Sequence, residues 1–149
     1  MSYELVRVSD PADWADFHAI RRVELFEARG RFGIYNDSHP HDYADFAHPF
    51  LLKRNGQALG TVRLDLFGGG RAAVRLVAIT AAEQKRGHGR VMEALVTEEA
   101  RALGVHTLLV NAVEDALGFY EKTGWEPFEW DPGELVNSAV SCIQMRKLL

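Results

Sequence analysis

The sequence lacks several features that mark whole classes of protein. Its 149 residues include one cysteine, Cys142, so no internal disulfide can form and no CxxC pair offers a zinc site. No apolar run approaches the roughly 20 residues of a transmembrane helix, and the amino-terminal MSYELVRVSD has neither the basic nor the apolar region of a secretion signal. The formal net charge of −4 disfavours nucleic acid and anionic membranes as partners. We therefore expect a cytoplasmic protein.

The composition is that of an ordinary globular protein. Hydrophobic residues make up 47% of the chain and charged residues 26%, which is enough apolar surface for a sizeable core. The sequence has no internal repeat, no low-complexity tract and no linker rich in proline, glycine or serine. The length and composition together predict one domain that spans residues 1–149.

Turn and cap residues divide the amino-terminal half into elements. Asp10 is typical of an N-cap and Pro11 of a first helical position, and the helix they begin should end near Gly30. Asn55-Gly56 is typical of a two-residue β-hairpin turn. The predicted elements are a strand at 3–8, this first helix, a short second helix around 42–46, and three strands within 50–79.

The carboxy-terminal half begins with a strand, a glycine loop and a helix. Apolar residues recur at helical spacing after the loop, and Gly104 supplies the end of that helix. The remaining predicted elements are a buried strand at 105–110, a short helix at 115–122, and strands at 124–130 and 139–148. Antiparallel strands followed by a strand–helix–strand unit predict an α/β (α+β) protein with a mixed sheet.

The loop between the strand RLVAI and the following helix predicts an anion site. A glycine loop that opens a helix aims unpaired backbone amides at one point, and the helix dipole reinforces them. Gly87 and Gly89 permit a positive φ and leave room for a bulky group, while Lys85, Arg86 and Arg90 add positive charge. The Walker and dinucleotide-binding patterns are absent. A pyrophosphate is the expected ligand, and a tight turn that happens to be basic is the alternative.

Two motifs together identify a family. The loop reads Q-x-x-G-x-G from Gln84 to Gly89, and about thirty residues later comes ALGFYEKTGW, residues 116–125. This combination resembles the GNAT superfamily of acetyl-CoA-dependent N-acetyltransferases, and the resemblance extends over nearly the whole chain. It implies a mixed, mostly antiparallel sheet of six to seven strands flanked by about four helices.

The resemblance also implies a binding site for acetyl-CoA, with no metal. Backbone amides of the loop would hold the pyrophosphate, and the free edge of the preceding strand would pair with the pantetheine arm. Asn111, at a strand end, is a further candidate contact or alternatively a cap, and Phe119 borders the same site or serves only in packing. The residues expected to bind the cofactor are Val77, Ala78, Ile79, Gln84, Lys85, Arg86, Gly87, His88, Gly89, Arg90, Asn111 and Phe119.

Tyr120 is the expected catalytic residue by the same resemblance. It matches the family tyrosine near the thioester sulfur, where a phenol can donate a proton to the departing thiolate; a core tyrosine is the alternative. Two positions depart from the family pattern. Val113 stands where many relatives have asparagine, and Ala73 where some have a glutamate base, so the base is unassigned, with Asp65 or a chain of waters as candidates.

Two further groups of residues bear on the chemistry. The segment from His39 to His48 holds three histidines and two aspartates, but its spacing is not that of a structural metal site, and we interpret it as a solvated polar loop that could also touch the substrate. Cys142 lies in the alternating run AVSCIQM, which is typical of a small buried side chain rather than a nucleophile.

The predicted function is transfer of an acetyl group from acetyl-CoA to a primary amine, by direct transfer within a ternary complex. A small-molecule amine is the expected acceptor, and the protein amino terminus or lysine is an alternative one. The rival function is a non-catalytic acyl-CoA-binding module, suggested by the missing glutamate at Ala73. Because family members often pair through terminal strands, a homodimer through SCIQMRKL is also an open expectation.

Overall fold

The computed structural model describes residues 2–136, 138 and 140–149. The strands and helices follow one another in the order that the sequence predicts. Their bounds are β1 Tyr3–Arg7, α1 Pro11–Arg21, β2 Ala47–Arg54, β3 Gln57–Gly68, β4 Arg71–Ile79, α2 His88–Ala102, β5 Thr107–Val113, α3 Leu117–Lys122, β6 Glu126–Pro127 and β7 Cys142–Leu148.

The seven strands form one mixed sheet in the order β1-β2-β3-β4-β5-β7-β6. Every neighbouring pair is antiparallel except β4 and β5, which are parallel because α2 crosses over between them. This confirms the predicted mixed, mostly antiparallel sheet. The described residues contain three α-helices rather than about four, and the longest, α2, has 15 residues. None of them is long and apolar enough to cross a membrane.

The two parallel strands separate halfway along their length. β4 and β5 pair from Arg71 to Val74 on one strand and from Thr107 to Val110 on the other, and their pairing ends there. β4 stays paired with β3 beyond that point, but with a bulge where Leu76 takes a left-handed φ of 54°. The result is a wedge-shaped opening between the carboxyl-terminal halves of β4 and β5.

The sheet separates two clusters of buried side chains. On one face α2 and α3 pack on apolar residues of the central strands, including Val62, Val74, Met92 and Val110. On the other face α1 packs on a smaller cluster built around Phe17. Both clusters are fully buried at their centres, so the opening between β4 and β5 lies in a rigid frame.

The first helix begins as predicted and changes its form before Gly30. The Asp10 side chain caps it by accepting a hydrogen bond from the Asp13 amide at 2.8 Å. After Arg21 the chain continues as a π-helical turn and a 3₁₀ turn, and Gly30 ends it with a φ of 75°. The second helix predicted at 42–46 is a single 3₁₀ turn at Pro40–Tyr43, because Asp42 is drawn inward to two arginines.

The three strands of the carboxy-terminal half differ in their bounds from the prediction. The strand predicted at 105–110 begins at Thr107, because the preceding amides bond to the end of α2 and to Gly70. The one predicted at 124–130 is only β6, since Pro127 donates no hydrogen bond and the amides of Trp130 and Asp131 bond to a Gln144 side chain. The one predicted at 139–148 begins at Cys142, and Ala139 lies outside the described residues.

Candidate active site

The glycine loop presents uncapped amides at the start of α2. Gly87 is the N-cap of the helix in the left-handed region, with a φ of 83°, and no side chain caps the first turn. The amides of the first turn have no partner within the helix, so they remain available to an anion. No acidic residue lies in that turn, whereas Lys85, Arg86 and Arg90 surround it and are exposed. This arrangement fits a pyrophosphate.

His88 anchors the loop from below. Its side chain is 1% exposed, with Nδ1 accepting from the Tyr3 hydroxyl at 2.8 Å and Nε2 donating to the Glu83 carboxylate at 3.0 Å. The imidazole therefore faces the protein, which leaves the His88 backbone amide as its means of contacting a ligand. Gln84 ties the other end of the loop to β4, because its Nε2 donates to the Ile79 carbonyl at 2.9 Å.

The two glycines of the loop serve different purposes, which corrects one expectation. Only Gly87 has a positive φ; Gly89 lies within α2 in ordinary helical geometry. A Cβ added to Gly89 would stand 3.5 Å from the Phe119 ring, an ordinary contact distance. Gly87 is therefore required by the backbone turn, whereas Gly89 keeps open the space between the loop and α3.

An apolar cleft runs from the loop to α3 on the α2 face of the sheet. It brings together four residues predicted for the site, namely Val77, Gly89, Phe119 and Tyr120, with Val74, Met92 and Trp125 among the other lining residues. The side chain of Ala78 lies on the opposite face, and Ile79 packs against the main core. Those two residues could meet a ligand only through their backbone.

Tyr120 is one of the residues that line this cleft. Its side chain is 8% exposed and packs edge-on against Phe119 and Trp125. Burial, with smaller contributions from Glu93 and Cys142, raises the pKa of Tyr120 to about 12. The phenol therefore keeps its proton at neutral pH and can act as a hydrogen-bond donor. No hydrogen bond joins its hydroxyl to another side chain in the described part of the protein.

The other face of the opening carries a polar network that the sequence did not reveal. Arg75 on β4 and Asn111 on β5 each follow the last paired residue of their strand. Both donate to Glu134, from Arg75 NH1 at 2.7 Å and from Asn111 Nδ2 at 3.0 Å. The predicted contact of Asn111 with the cofactor stays a prediction, since its side chain bonds to Glu134 and Gln144. Glu134 lies in a loop without any motif, so no sequence signal marked it.

Asp65, a candidate base, is committed to ion pairs within this network. Its two carboxylate oxygens accept from Arg63 at 2.8 and 3.0 Å and from Arg75 at 2.9 Å. The same chain of charges continues through Asp42, which accepts from Arg63 and from Arg21 at 2.8 Å each. Asp65 is 2% exposed, so it has little access to a substrate proton.

The histidine-rich segment and the cysteine take no part in the cleft. Within the described residues no group of three or more His, Cys, Asp or Glu could hold a metal ion. His39 caps the 3₁₀ turn and His48 contacts Arg7, so the segment is spread over separate structural contacts. Cys142 is half-buried at the start of β7, and burial raises the pKa of its thiol, which keeps it protonated.

Known structures share this fold at low sequence identity. A provisionally named N-acetyltransferase from Lactobacillus plantarum has a TM-score of 0.81 at 20% identity, covering 100% of this chain and 99% of its own. An aminoglycoside 6′-N-acetyltransferase complexed with coenzyme A scores 0.77 at 12% identity, covering 97% and 96%. N-acetylglutamate synthase from Neisseria gonorrhoeae, complexed with coenzyme A and N-acetyl-glutamate, scores 0.76 at 16% identity, covering 100% of this chain and 35% of its own.

The family itself is established by a sequence match. A search of the curated proteins gives no match. The family model described as "Acetyltransferase (GNAT) family" matches residues 14–125, which include the glycine loop, the opening between β4 and β5 and Tyr120. The match covers about three quarters of the chain, and the chain therefore belongs to the GNAT family of acetyltransferases.

Proposed function

We propose that the protein transfers an acetyl group from acetyl-CoA to a primary amine, with both substrates bound together. The observation that carries this proposal is the convergence of three features on one cleft: the uncapped loop of α2, the free edge of β4 and the Tyr120 hydroxyl. A purely structural core does not require an uncapped helix start, a free strand edge and a tyrosine at the same place.

The glycine loop, the edge of β4 and the apolar cleft together suit the successive parts of coenzyme A. The first-turn amides and the basic residues at the rim match a pyrophosphate, and the edge of β4 at residues 75–79 can pair with an amide-containing arm as an added strand. Bound acetyl-CoA would supply an activated thioester. The side chains of Val77, Phe119 and Tyr120 line the cleft and would exclude water from the arm.

The reaction requires one bond to form and one to break. The amine nitrogen bonds to the acetyl carbon, the carbon–sulfur bond breaks, and the amine proton is lost to solvent while the sulfur leaves as a thiolate. A phenol with a pKa of about 12 holds its proton more tightly than a thiol of pKa near 8.5. Tyr120 therefore acts as a hydrogen-bond donor that stabilises the developing thiolate, and solvent completes the protonation.

Neither Asp65 nor Glu134 is well suited to be the base. Burial tends to raise the pKa of Glu134, but hydrogen bonds and charge from Arg75, together with Asn111, outweigh it and lower that pKa. A carboxylate so stabilised is a weak proton acceptor. We propose that the amine loses its proton to water before attack, so that the rate rises with pH until the free amine predominates.

The nature of the acceptor is proposed only as a primary amine. An aminoglycoside and an amino acid are acceptors suggested by the names of two structural neighbours, and a peptide amine is the alternative. The rival proposal, a non-catalytic acyl-CoA-binding module, draws on Ala73, which is fully buried where a base would otherwise stand. The two proposals share the cofactor site and differ only in turnover.

The decisive experiment measures thiol release from acetyl-CoA in the presence of amines. The acceptors to screen are polyamines, aminoglycosides, free amino acids and lysine peptides. Binding of acetyl-CoA, seen as a higher melting temperature, without thiol release from any of these amines would favour the non-catalytic module.

Tyr120→Phe supplies the matched variant for this assay, because it keeps the ring packing and removes the hydroxyl. We expect kcat to fall about 100-fold, the low end for loss of a donor to developing charge, while the affinity for acetyl-CoA changes little. An unchanged kcat, with chemistry shown to limit the rate, would exclude Tyr120 from the mechanism.

A further inference from the structure

The mouth of the opening between β4 and β5 holds a set of hydrogen-bond donors aimed at one point, which we call the Arg75–Asn111 fork. It consists of Arg75 NH1 and NH2 and Asn111 Nδ2. All three donate to the carboxylate of Glu134, at 2.7, 3.0 and 3.0 Å. The fork bridges the two strands on the face opposite the cofactor cleft.

The fork is held in place without help from Glu134. On the β4 side, Arg75 Nε donates to Asp65 at 2.9 Å, and the guanidinium lies against the adjacent rings of Phe67 and Trp130, 5.7 and 5.9 Å from their centroids. A guanidinium fixed through Nε presents its other two nitrogens as a planar pair, which matches the two oxygens of a carboxylate.

On the β5 side, a chain of amides sets the orientation of Asn111. The Oε1 atom of Gln144 accepts from the backbone amides of Trp130 and Asp131 at 2.9 and 2.8 Å, so its Nε2 must be the donor. That Nε2 donates to Asn111 Oδ1 at 2.9 Å, which leaves Asn111 Nδ2 to point into the fork. Every donor of the fork is therefore fixed by groups that remain when Glu134 is removed.

Charge balance requires an anion at this position. The network contains three arginines, Arg21, Arg63 and Arg75, and three carboxylates, Asp42, Asp65 and Glu134, joined alternately by ion pairs. Removal of Glu134 would leave one positive charge uncompensated at Arg75, whose side chain is only 23% exposed. A partly buried guanidinium without a counter-ion is costly, so a carboxylate should replace the one that leaves.

Glu134 is the replaceable member of the set. It lies on a single 3₁₀ turn, Pro132–Leu135, and its side chain is 25% exposed, whereas Asp42 and Asp65 are 0% and 3% exposed. Rotation of its side chain would clear the fork without moving β4 or β5. The released side chain would also regain rotamer entropy.

We propose that the Arg75–Asn111 fork is the carboxylate subsite of the acceptor pocket, and that Glu134 fills it until the substrate carboxylate displaces it. The acceptor is accordingly an amine that carries a carboxylate, as amino acids do. This inference rests on the proposed acetyl transfer and narrows its acceptor class. It also assigns Glu134 an inhibitory contact rather than the role of a base.

Matched acceptors test the fork directly. Thiol release from acetyl-CoA should be measured with leucine, phenylalanine, glutamate and lysine, each beside its α-amide, and with 1,5-diaminopentane as the lysine analogue that lacks a carboxylate. We expect kcat/KM for the best amino acid to exceed that of its amide about 10- to 100-fold, the worth of charged hydrogen bonds. Equal values for acid and amide would overturn the proposal.

Two variants separate recognition from structural support. Glu134→Gln removes the competing charge and should lower KM for the amino acid several-fold while leaving the amide unchanged. Asn111→Asp keeps the bond from Gln144 but places an anion in the fork, so it should raise KM at least tenfold for the amino acid alone. Glu126→Gln, which removes the same charge from an exposed pair with Arg146, is the control. Equal effects of Glu134→Gln on acid and amide would contradict the competing role.

A binding measurement distinguishes failure of this inference from failure of the proposed function. Turnover of amides, diamines or lysine peptides in preference to amino acids would overturn the fork and leave acetyl transfer intact. If no amine released thiol, the melting temperature in the presence of coenzyme A would decide. If an amino acid raised the melting temperature and its amide did not, and if Asn111→Asp abolished that rise, the proposed carboxylate subsite would be supported. If no amino acid raised the melting temperature, the proposed subsite would be overturned.

Discussion

The two faces of the sheet meet at the opening between β4 and β5 and are built in opposite ways. The α2 face is apolar, with Val74, Val77 and Met92 leading to the Tyr120 hydroxyl. The other face carries alternating charges that end at the Arg75–Asn111 fork. Because successive residues of a strand point to opposite faces, the same two strands supply both surfaces.

The contrast matches the two chemically different substrates that we propose for this opening. An apolar wall with a free strand edge holds a long chain by shape and backbone pairing, and it need not distinguish charges. A pre-oriented set of charged donors selects a small ligand by its charge and geometry. The predictions that follow test each face separately.

The largest loss of stability is expected when a buried charge of the polar face is removed. Asp42→Ala would leave Arg21 and Arg63 without their shared carboxylate in a fully buried position, and should lower the free energy of unfolding by about 3–5 kcal/mol. Chemical denaturation measures this. Glu126→Ala, which breaks an exposed pair, should change it by less than about 1 kcal/mol. Similar losses in the two variants would mean that the network is not a stabilising unit.

The next effect concerns the glycine loop on the apolar face. Gly87→Val places a β-branched residue at a φ of 83°, which should cost about 1–3 kcal/mol of stability and weaken acetyl-CoA binding. Gly89→Val should keep more of the stability, because Gly89 is helical, yet weaken binding through side-chain atoms in the cleft. Titration calorimetry and thermal melts compare the two. Unchanged affinity in both variants would show that the loop is not the cofactor site.

A smaller loss of stability is expected at acidic pH. Burial favours a higher pKa for Asp42 and for Glu134, but their arginine partners outweigh it and lower both values. A carboxyl with a lowered pKa in the folded state contributes stability above its unfolded value, and that stability is lost as the pH falls through the folded value. Burial also lowers the pKa of His18 in the folded state, so the free energy of unfolding begins to fall when the pH drops below about 6.5.

The melting temperature should therefore fall as the pH drops from 6.5 to 3, and most steeply below about pH 4.5. Glu134→Gln should reduce the free energy of unfolding that is lost between neutral pH and pH 3 by about 0.5–1 kcal/mol. The effect is small because the ion pair that it removes is partly exposed. An equal loss of stability on acidification in the variant and the parent would show that the Arg75–Glu134 pair adds nothing to stability.

The smallest effect is expected at Cys142. Its thiol is protonated and half-buried, so it is a poor nucleophile. Cys142→Ala should keep most of the activity, and initial-rate lines with both substrates varied should intersect, as for direct transfer. Parallel lines, with an acetylated Cys142 found by mass spectrometry in the absence of amine, would require a covalent route.

The sequence located the elements of the proposed cofactor cleft more completely than those of the proposed acceptor side. The loop from Gln84 to Arg90 and the segment around Tyr120 are continuous stretches whose spacing follows from local backbone geometry. Their neighbours along the chain define them, so a pattern could reveal them. What the pattern left out was that His88 points inward and that only Gly87 needs a positive φ.

The fork escaped prediction because its members are distant in sequence. Glu134 lies 59 residues from Arg75 and 23 from Asn111, and only the pairing of β5 with β7 brings the last loop beside β4. The sequence also predicts a strand at the start of that loop, over residues 124–130. Two backbone amides there donate to the Gln144 side chain instead of forming the expected hydrogen bonds between strands. No local sequence preference encodes such a contact.

The bulge at Leu76 determines how β4 would respond to the loss of one residue. Before it, Ala72 and Val74 face the main core; after it, Val77 and Ile79 do, so the parity of the strand has changed. Removal of this single residue would restore regular alternation and leave Val77, Ala78 and Ile79 on the faces that they now occupy. The extra residue therefore sets the path of the backbone beside the opening and not the faces of the side chains, so its deletion would change the free edge of β4 while Val77 and Ile79 kept their contacts with the core.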